Sequence, residues 1–132
     1  MPSMSQYMTR QPWTIRKSAT MARAHEMMRA HRIRHLPVLE ARKLVGLVSE
    51  RDLHLIETLP DGDPEEVTVE EAMSGEVYVV SADDPVDLVV EKMADHKYGS
   101  AVVVDRRGVV QGIFTTTDAL QVLADVLRKA SA

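Results

Sequence analysis

Apolar residues in this chain fall into two kinds of run: short compact stretches, and longer ones spaced at three and four. The short stretches are residues 36–39 and 44–48, and again 101–104 and 109–114. Each is too brief for a helix, and charged residues separate the members of each pair. Each pair therefore predicts two buried strands joined as a hairpin. The second strand ends in Gly, two apolar residues, Ser or Thr, two further residues and Asp: Gly46-Leu47-Val48-Ser49-Glu50-Arg51-Asp52 and Gly112-Ile113-Phe114-Thr115-Thr116-Thr117-Asp118. Ser or Thr three residues before an acid is a helix-start signal, so each hairpin feeds a helix.

The spaced runs predict helices directly. Met21, Ala24, Met27, Met28 and His31 recur at helical spacing behind a cap at Ser18 or Thr20. Val86, Val89, Val90 and Met93 do the same behind Asp83 or Asp84, with Pro85 at the first helical position. The methionines read as core filler. Extended segments at 13–15 and 78–80 precede these helices, and a short turn at 5–8 opens the chain. The last helix, 116–129, carries Leu120, Val122, Leu123, Val126 and Leu127, a face wider than one core stripe needs. Part of that face, and its counterpart on 52–59, is expected to meet another chain. Residues 59–66 are acidic and broken by Pro and Gly, as an exposed linker would be.

The pattern is duplicated. Met8-Thr9 matches Met73-Ser74 at an offset of 65, and after one inserted residue in the second hairpin Gly46 and Asp52 match Gly112 and Asp118 at 66. Such a period is too long for a solenoid and suits a repeated small unit. The fold class expected is α/β, two β-α-β-β-α units related by pseudo-twofold symmetry. The first unit would span 1–59, the linker 60–66 and the second 67–132.

Composition narrows the function classes. With no cysteine among 132 residues there is no disulfide, thiolate metal site or thiol nucleophile. No window approaches the ~18 apolar residues a membrane span needs, and no charged-then-apolar leader opens the chain, so a cytoplasmic protein without membrane contact is expected. The net charge of -4 hides an asymmetry: residues 1–58 hold ten Lys/Arg against five Asp/Glu, and residues 59–132 hold six against fifteen. The basic half invites phosphate or nucleic acid, but its cations form no run, and nucleic acid is disfavoured. His31 and His35 are four apart, yet a helix ending near the first and a strand starting near the second separate them, so no metal site is expected. There is no Gly-rich phosphate loop, nucleophile elbow or paired catalytic carboxylate. No catalytic residues and no cofactor are assigned, and the chain is not expected to be an enzyme.

Candidate chemistry therefore rests on the two Ser/Thr-x-x-Asp motifs. Each caps a helix, which alone accounts for its residues. The same geometry suits a nucleoside phosphate: a carboxylate accepts from vicinal ribose hydroxyls, while hydroxyl and backbone N–H groups at a helix start bind phosphate.

Taken in order and twice over, Met8-Thr9 and Met73-Ser74, the hairpin openings Arg34-His35-Leu36-Pro37-Val38 and Gly99-Ser100-Ala101-Val102-Val103, and the Gly-to-Asp motifs resemble a tandem of cystathionine beta-synthase (CBS) domains, a Bateman module. Among stand-alone members the chain resembles the short CBS-pair proteins associated with acetoin utilisation. The resemblance implies adenine-nucleotide sites, each drawing on both copies. One would use Leu47, Ser49, Arg51 and Asp52 with Val77, Tyr78, Gly99 and Ser100. The other would use Ile113, Thr115, Thr117 and Asp118 with Gln11, Pro12, Trp13, Ile33, Arg34 and His35. Trp13 could contact a base, although a lone tryptophan is as readily core. Ala101-Val102 in place of Leu36-Pro37 departs from the usual pattern and bears on the first site's base pocket. The resemblance further implies a regulator that senses AMP, ADP, ATP or S-adenosylmethionine, pairs as a homodimer through its helices and acts through an effector protein yet to be identified. The alternatives are a dimerisation module with vestigial sites and a nucleic-acid-binding regulator.

Overall fold

The structure is a computed structural model in which residues 2–131 are described. In chain order its elements are α1 (Met4–Tyr7), β1 (Thr9–Arg10), β2 (Ile15–Arg16), α2 (Met21–His31), β3 (His35–Glu40), β4 (Lys43–Ser49), α3 (Glu50–Thr58), α4 (Val69–Ala72), β5 (Val79–Val80), α5 (Val86–His96), β6 (Ser100–Val104), β7 (Val110–Thr115) and α6 (Thr116–Ser131). The α/β class and the doubled β-α-β-β-α order are those expected. The chain divides into two compact units, Trp13–Val77 and a second made of the residues through Pro12 together with those from Tyr78 onward.

In the Trp13–Val77 unit a three-stranded sheet runs β2-β3-β4, with β2 parallel and β4 antiparallel to β3. Met21, Ala24, Met27 and Met28 of α2 pack with Leu36, Val38, Val48, Leu53 and Val69 as its core, which agrees with the methionines as filler. His31 departs from the expected stripe, since it is exposed at the last turn of α2. In the second unit the sheet runs β1-β7-β6-β5. Its core holds Met4, Val80, Val86, Val89, Met93, Ala101, Val103 and Phe114. The β3–β4 hairpin turns through Ala41 and Arg42, both at positive φ, whereas the β6–β7 hairpin uses Gly108 at φ 81° and an Asp105 carboxylate that accepts from the N–H groups of Arg107 and Val109. The one-residue insertion therefore changes the turn. Both hairpins still carry a register shift at matching places, Val38/Leu39 and Val103/Val104.

Each compact unit takes its leading segment from the other sequence repeat, so the boundaries 1–59 and 67–132 follow the repeats and not the compact units. The duplicated glycines supply the reason. A Cβ on Gly112 would stand 2.7 Å from the Met8 sulfur and 2.9 Å from the Thr9 carbonyl oxygen; on Gly46 it would stand 2.4 Å from the Met73 sulfur and 2.9 Å from the Ser74 oxygen. The Met-Ser/Thr pair of one repeat thus lies against the glycine of the other, where only a residue without Cβ admits it. Helix starts are shared in the same manner. Met21 N–H donates to the Val67 carbonyl and Val69 N–H to that of Ala19; Met4 N–H donates to Asp84 and Val86 N–H to Pro2. These reciprocal bonds satisfy first-turn donors that a helix cannot satisfy itself.

Two cap assignments are refined. Thr20, not Ser18, caps α2 by accepting from Arg23 N–H at 3.2 Å. At α5 neither Asp83 nor Asp84 is the cap and Pro85 is not the first helical residue: Pro85 itself is the extended N-cap, and the Asp84 carboxylate turns back to accept from Ser81 N–H at 2.8 Å. Residues 59–66 hold no helix or strand, but the Pro64 carbonyl accepts from Ala22 N–H, so the stretch also completes the α2 start. No helix among the described residues is long and apolar enough to cross a membrane.

Candidate functional site

In each unit the second hairpin strand delivers a hydroxyl residue to a helix start, and an Asp one turn later folds back on it. Asp52 Oδ2 accepts from Ser49 N–H at 2.7 Å and from the Ser49 hydroxyl at 3.0 Å, and Asp52 N–H faces Ser49 Oγ at 3.3 Å. Asp118 Oδ2 likewise accepts from Thr115 N–H at 2.8 Å and from its hydroxyl at 3.3 Å. One oxygen of each carboxylate is therefore spent on the cap. The second oxygens differ. Asp118 Oδ1 accepts from the exposed Thr9 hydroxyl at 3.1 Å, while Asp52 Oδ1 has no hydrogen-bond partner among the described residues. Thr9 had shown only as part of the repeat; its signal was the Met-Thr/Ser pair, which reaches the motif because β1 pairs with β7. The equivalent Ser74 hydroxyl instead donates to the Glu76 carbonyl.

The strand beside each motif brings in part of the predicted set. His35 is the register partner of Ser49, and Ser100 that of Thr115. Burial, and next the neighbouring Arg34 charge, hold His35 below the usual imidazole range, with Asp52 and Glu50 pulling the other way. Ser100 is 5% exposed and its hydroxyl has no hydrogen-bond partner among the described residues, a buried polar atom that a ligand could satisfy. Trp13 is 53% exposed, which rules out the core alternative. Its indole stacks on the His31 imidazole, with ring centroids 3.7 Å apart and planes 9° from parallel.

The remaining residues fall as follows. Leu47, Arg51, Ile33, Arg34 and Val77 lie in the unit of Asp52, with Leu47 backbone-paired to Ser74 and Arg51 exposed. Gln11, Pro12, Tyr78, Gly99, Ile113 and Thr117 lie in the unit of Asp118. Tyr78 forms an aromatic cluster with Tyr98, centroids 5.2 Å apart, and Lys92 stands over its ring at 5.1 Å. Tyr98 was missed because its aromatic partner is twenty residues away. Among the described residues no group of three His, Asp or Glu side chains could hold a metal ion.

Comparison with known proteins gives consistent matches. The CBS domain profile matches residues 4–55 and again 69–125. The chain is 30% identical over 112 residues to the L-aspartate semialdehyde sulfurtransferase of Methanocaldococcus jannaschii, a match covering 84% of this chain and 21% of that enzyme. It is 28% identical over 110 residues to the CBS domain-containing protein YhcV of Bacillus subtilis, covering 83% and 78%. Against the first curated relatives, the match spans only 21% and 36% of their length. Among solved structures, a Vibrio cholerae protein provisionally assigned to acetoin utilization (AcuB) superposes with a TM-score of 0.88 at 30% identity, over 99% of this chain and 96% of that one. The CBS domain pair of protein MJ0100, in complex with 5'-methylthioadenosine and S-adenosyl-L-methionine, gives 0.87 at 26% identity, over 95% and 98%.

Proposed function

The chain belongs to the CBS-domain family, and from that premise we propose that it is a regulatory module that binds an adenosine-containing ligand and passes its bound state to a partner protein. The observation that carries this reading is the duplicated carboxylate clamp, in which the cap fixes one oxygen and orients the other. The ribose diol would donate to that second oxygen. At Asp52 it has no partner to displace among the described residues; at Asp118 the diol would share or replace the exposed Thr9 bond. The buried, unpartnered Ser100 hydroxyl and the exposed Trp13 indole add a polar contact and a face for a base. The bound complex of the MJ0100 pair, at 26% identity, supports the same ligand class.

The module regulates and does not catalyse; a carboxylate already bonded to its own cap is a poor general base. Homodimerisation uses α6, where Leu120, Leu123, Val126 and Leu127 are at least half exposed, and α3, whose Leu55 and the following Leu59 are also exposed. The test is calorimetric titration of the purified protein with AMP, ADP, ATP, S-adenosylmethionine and 5'-methylthioadenosine. A ligand at a hundred times its Kd should stabilise by about 2.7 kcal/mol, a Tm increase of about 10 °C for a domain of this size. No heat and no Tm change with any of them at millimolar concentration refutes the reading.

A further inference from the structure

A depression of about 460 Å³ opens in the Trp13–Val77 unit, where α2 ends, β3 begins and α3 starts. Its walls carry His25, Arg29 and Arg32, then Arg34, then Glu50 and His54. Met28 and Ile33 complete the lining. Three arginines thus line it beside one glutamate. The four ion pairs among the described residues involve Lys17, Arg23 and Arg128 as the cations, and none of the three cavity arginines. Unneutralised guanidiniums gathered in a concavity repel one another and favour an anion that can bridge them.

The other unit supplies an internal control. A depression of about 400 Å³ occupies the matching place, lined by Val90, Ala94, Lys97, Gly99 and Thr116 among others. By the repeat offset Val90 stands where His25 does, Ala94 for Arg29, Lys97 for Arg32, Gly99 for Arg34 and Thr116 for Glu50. The concavity therefore comes with the fold, and its charge does not. Helix-end electrostatics account for one cation in each unit: Arg32 and Lys97 are both left-handed C-caps, at φ 54° and 59°, where a positive side chain suits the dipole. Arg29, Arg34 and the two imidazoles have no such counterpart.

We propose that this cavity binds a phosphoryl anion of more than one negative charge, through Arg29, Arg32 and Arg34 with His25 and His54 as further donors. Guanidinium forks match phosphate oxygens in pairs, and Met28 and Ile33 offer no competing acceptor. The anion could be free, as a di- or triphosphate, or the phosphate chain of a nucleotide. The site lies within one unit and stands without the adenosine reading; Ile33 and Arg34 are common to both.

The experiment is calorimetric titration of the 132-residue chain at low salt with tripolyphosphate, AMP and ATP, repeated on Arg29→Ala, Arg32→Gly, Lys97→Gly and Asp52→Ala. Arg32→Gly places glycine at a left-handed position, so its Tm should hold or increase and misfolding cannot account for lost binding. Tripolyphosphate should bind saturably, weaken at least tenfold in Arg29→Ala and Arg32→Gly, and be unchanged in Lys97→Gly and Asp52→Ala; this identifies a free anion as the ligand. If instead only nucleotides bind, ATP should exceed AMP and the two arginine variants should abolish that advantage while AMP binding persists. Absence of tripolyphosphate binding together with equal ATP and AMP affinities overturns the proposal. So do arginine variants that bind every anion as the parent does. Loss of AMP binding in Asp52→Ala alone speaks to the adenosine site and leaves this one standing.

Discussion

Gly46→Ala tests the account of how the leading segments dock. The new Cβ would meet the Met73 sulfur at 2.4 Å, its Cγ at 2.9 Å and the Ser74 carbonyl oxygen at 2.9 Å. The thioether can swing aside; the carbonyl cannot, because it accepts from Leu47 N–H at 3.0 Å while Leu47 O accepts from Ser74 N–H at 2.9 Å. Relief requires the Ser74 backbone to withdraw, which weakens both bonds at ~1 kcal/mol each and adds the ~1–3 kcal/mol typical of overpacking. A loss of about 3 kcal/mol is expected. Gly75→Ala is the control, because a Cβ there meets nothing within 4 Å. Urea denaturation gives both values. In the Gly46→Ala background Met73→Ala should recover only the sulfur's share of the loss, since the carbonyl remains. A Gly46→Ala stability within ~0.5 kcal/mol of Gly75→Ala, or full recovery on truncating Met73, would refute the steric argument.

Three further outcomes are expected. Asp118→Ala should weaken adenosine-ligand binding more than Asp52→Ala, because the set assigned to Asp118 includes Trp13 and Arg34; equal or reversed losses in calorimetry reject that ranking. His35, held below the usual imidazole range by burial, contributes stability that is complete above the unfolded value of about 6.5 and is lost as pH falls through its folded value. His35→Gln should therefore flatten the fall in stability between pH 7.5 and 5, and an unchanged slope in urea melts contradicts this. Leu123→Lys with Leu127→Lys on α6 should turn a dimer into a monomer by light scattering. If the chains pack head to tail, bringing the basic half of one against the acidic half of the other, dissociation also increases with salt; a salt-independent dimer opposes that orientation.

The hairpins were legible because short, β-branched-rich apolar runs bounded by polar and turn residues favour buried strands, and β3, β4, β6 and β7 lie within about two residues of the runs that announced them. The motif aspartates were legible for a similar reason, since Ser49 and Thr115 place their acids by local geometry alone. What escaped notice depends on contacts distant in sequence. Thr9 reaches Asp118 across more than a hundred residues, and the pairing of β1 with β7 leaves no periodic trace in a two-residue strand. The stack of Trp13 on His31 is invisible to helical spacing, which assigned His31 to the core. The cationic cavity was half visible, as an excess of arginine before residue 58, but only the fold gathers α2, β3 and α3 around it.

The crossed arrangement of leading segments predicts which half of the chain can stand alone. A fragment cut by the sequence repeat, 1–59, would keep α1 and β1 without β7, and would lose Val69, which is fully buried against α2, together with the Val67 and Ala19 backbone bonds that close the α2 and α4 starts. Burial of Val69 contributes ~1.5–2 kcal/mol and the two bonds ~1 kcal/mol each. Partly buried Val67, Ala72 and Met73 are lost as well. The deficit of about 4–5 kcal/mol is comparable to the whole stability of a chain of this length, at ~0.05–0.15 kcal/mol per residue. Fragment 13–77 keeps every one of these contacts and the Leu47–Ser74 pair. Circular dichroism with urea should show a cooperative transition for 13–77 and a featureless one for 1–59. A cooperative melt for 1–59, or none for 13–77, would show that the leading segment does not complete the unit it lies against.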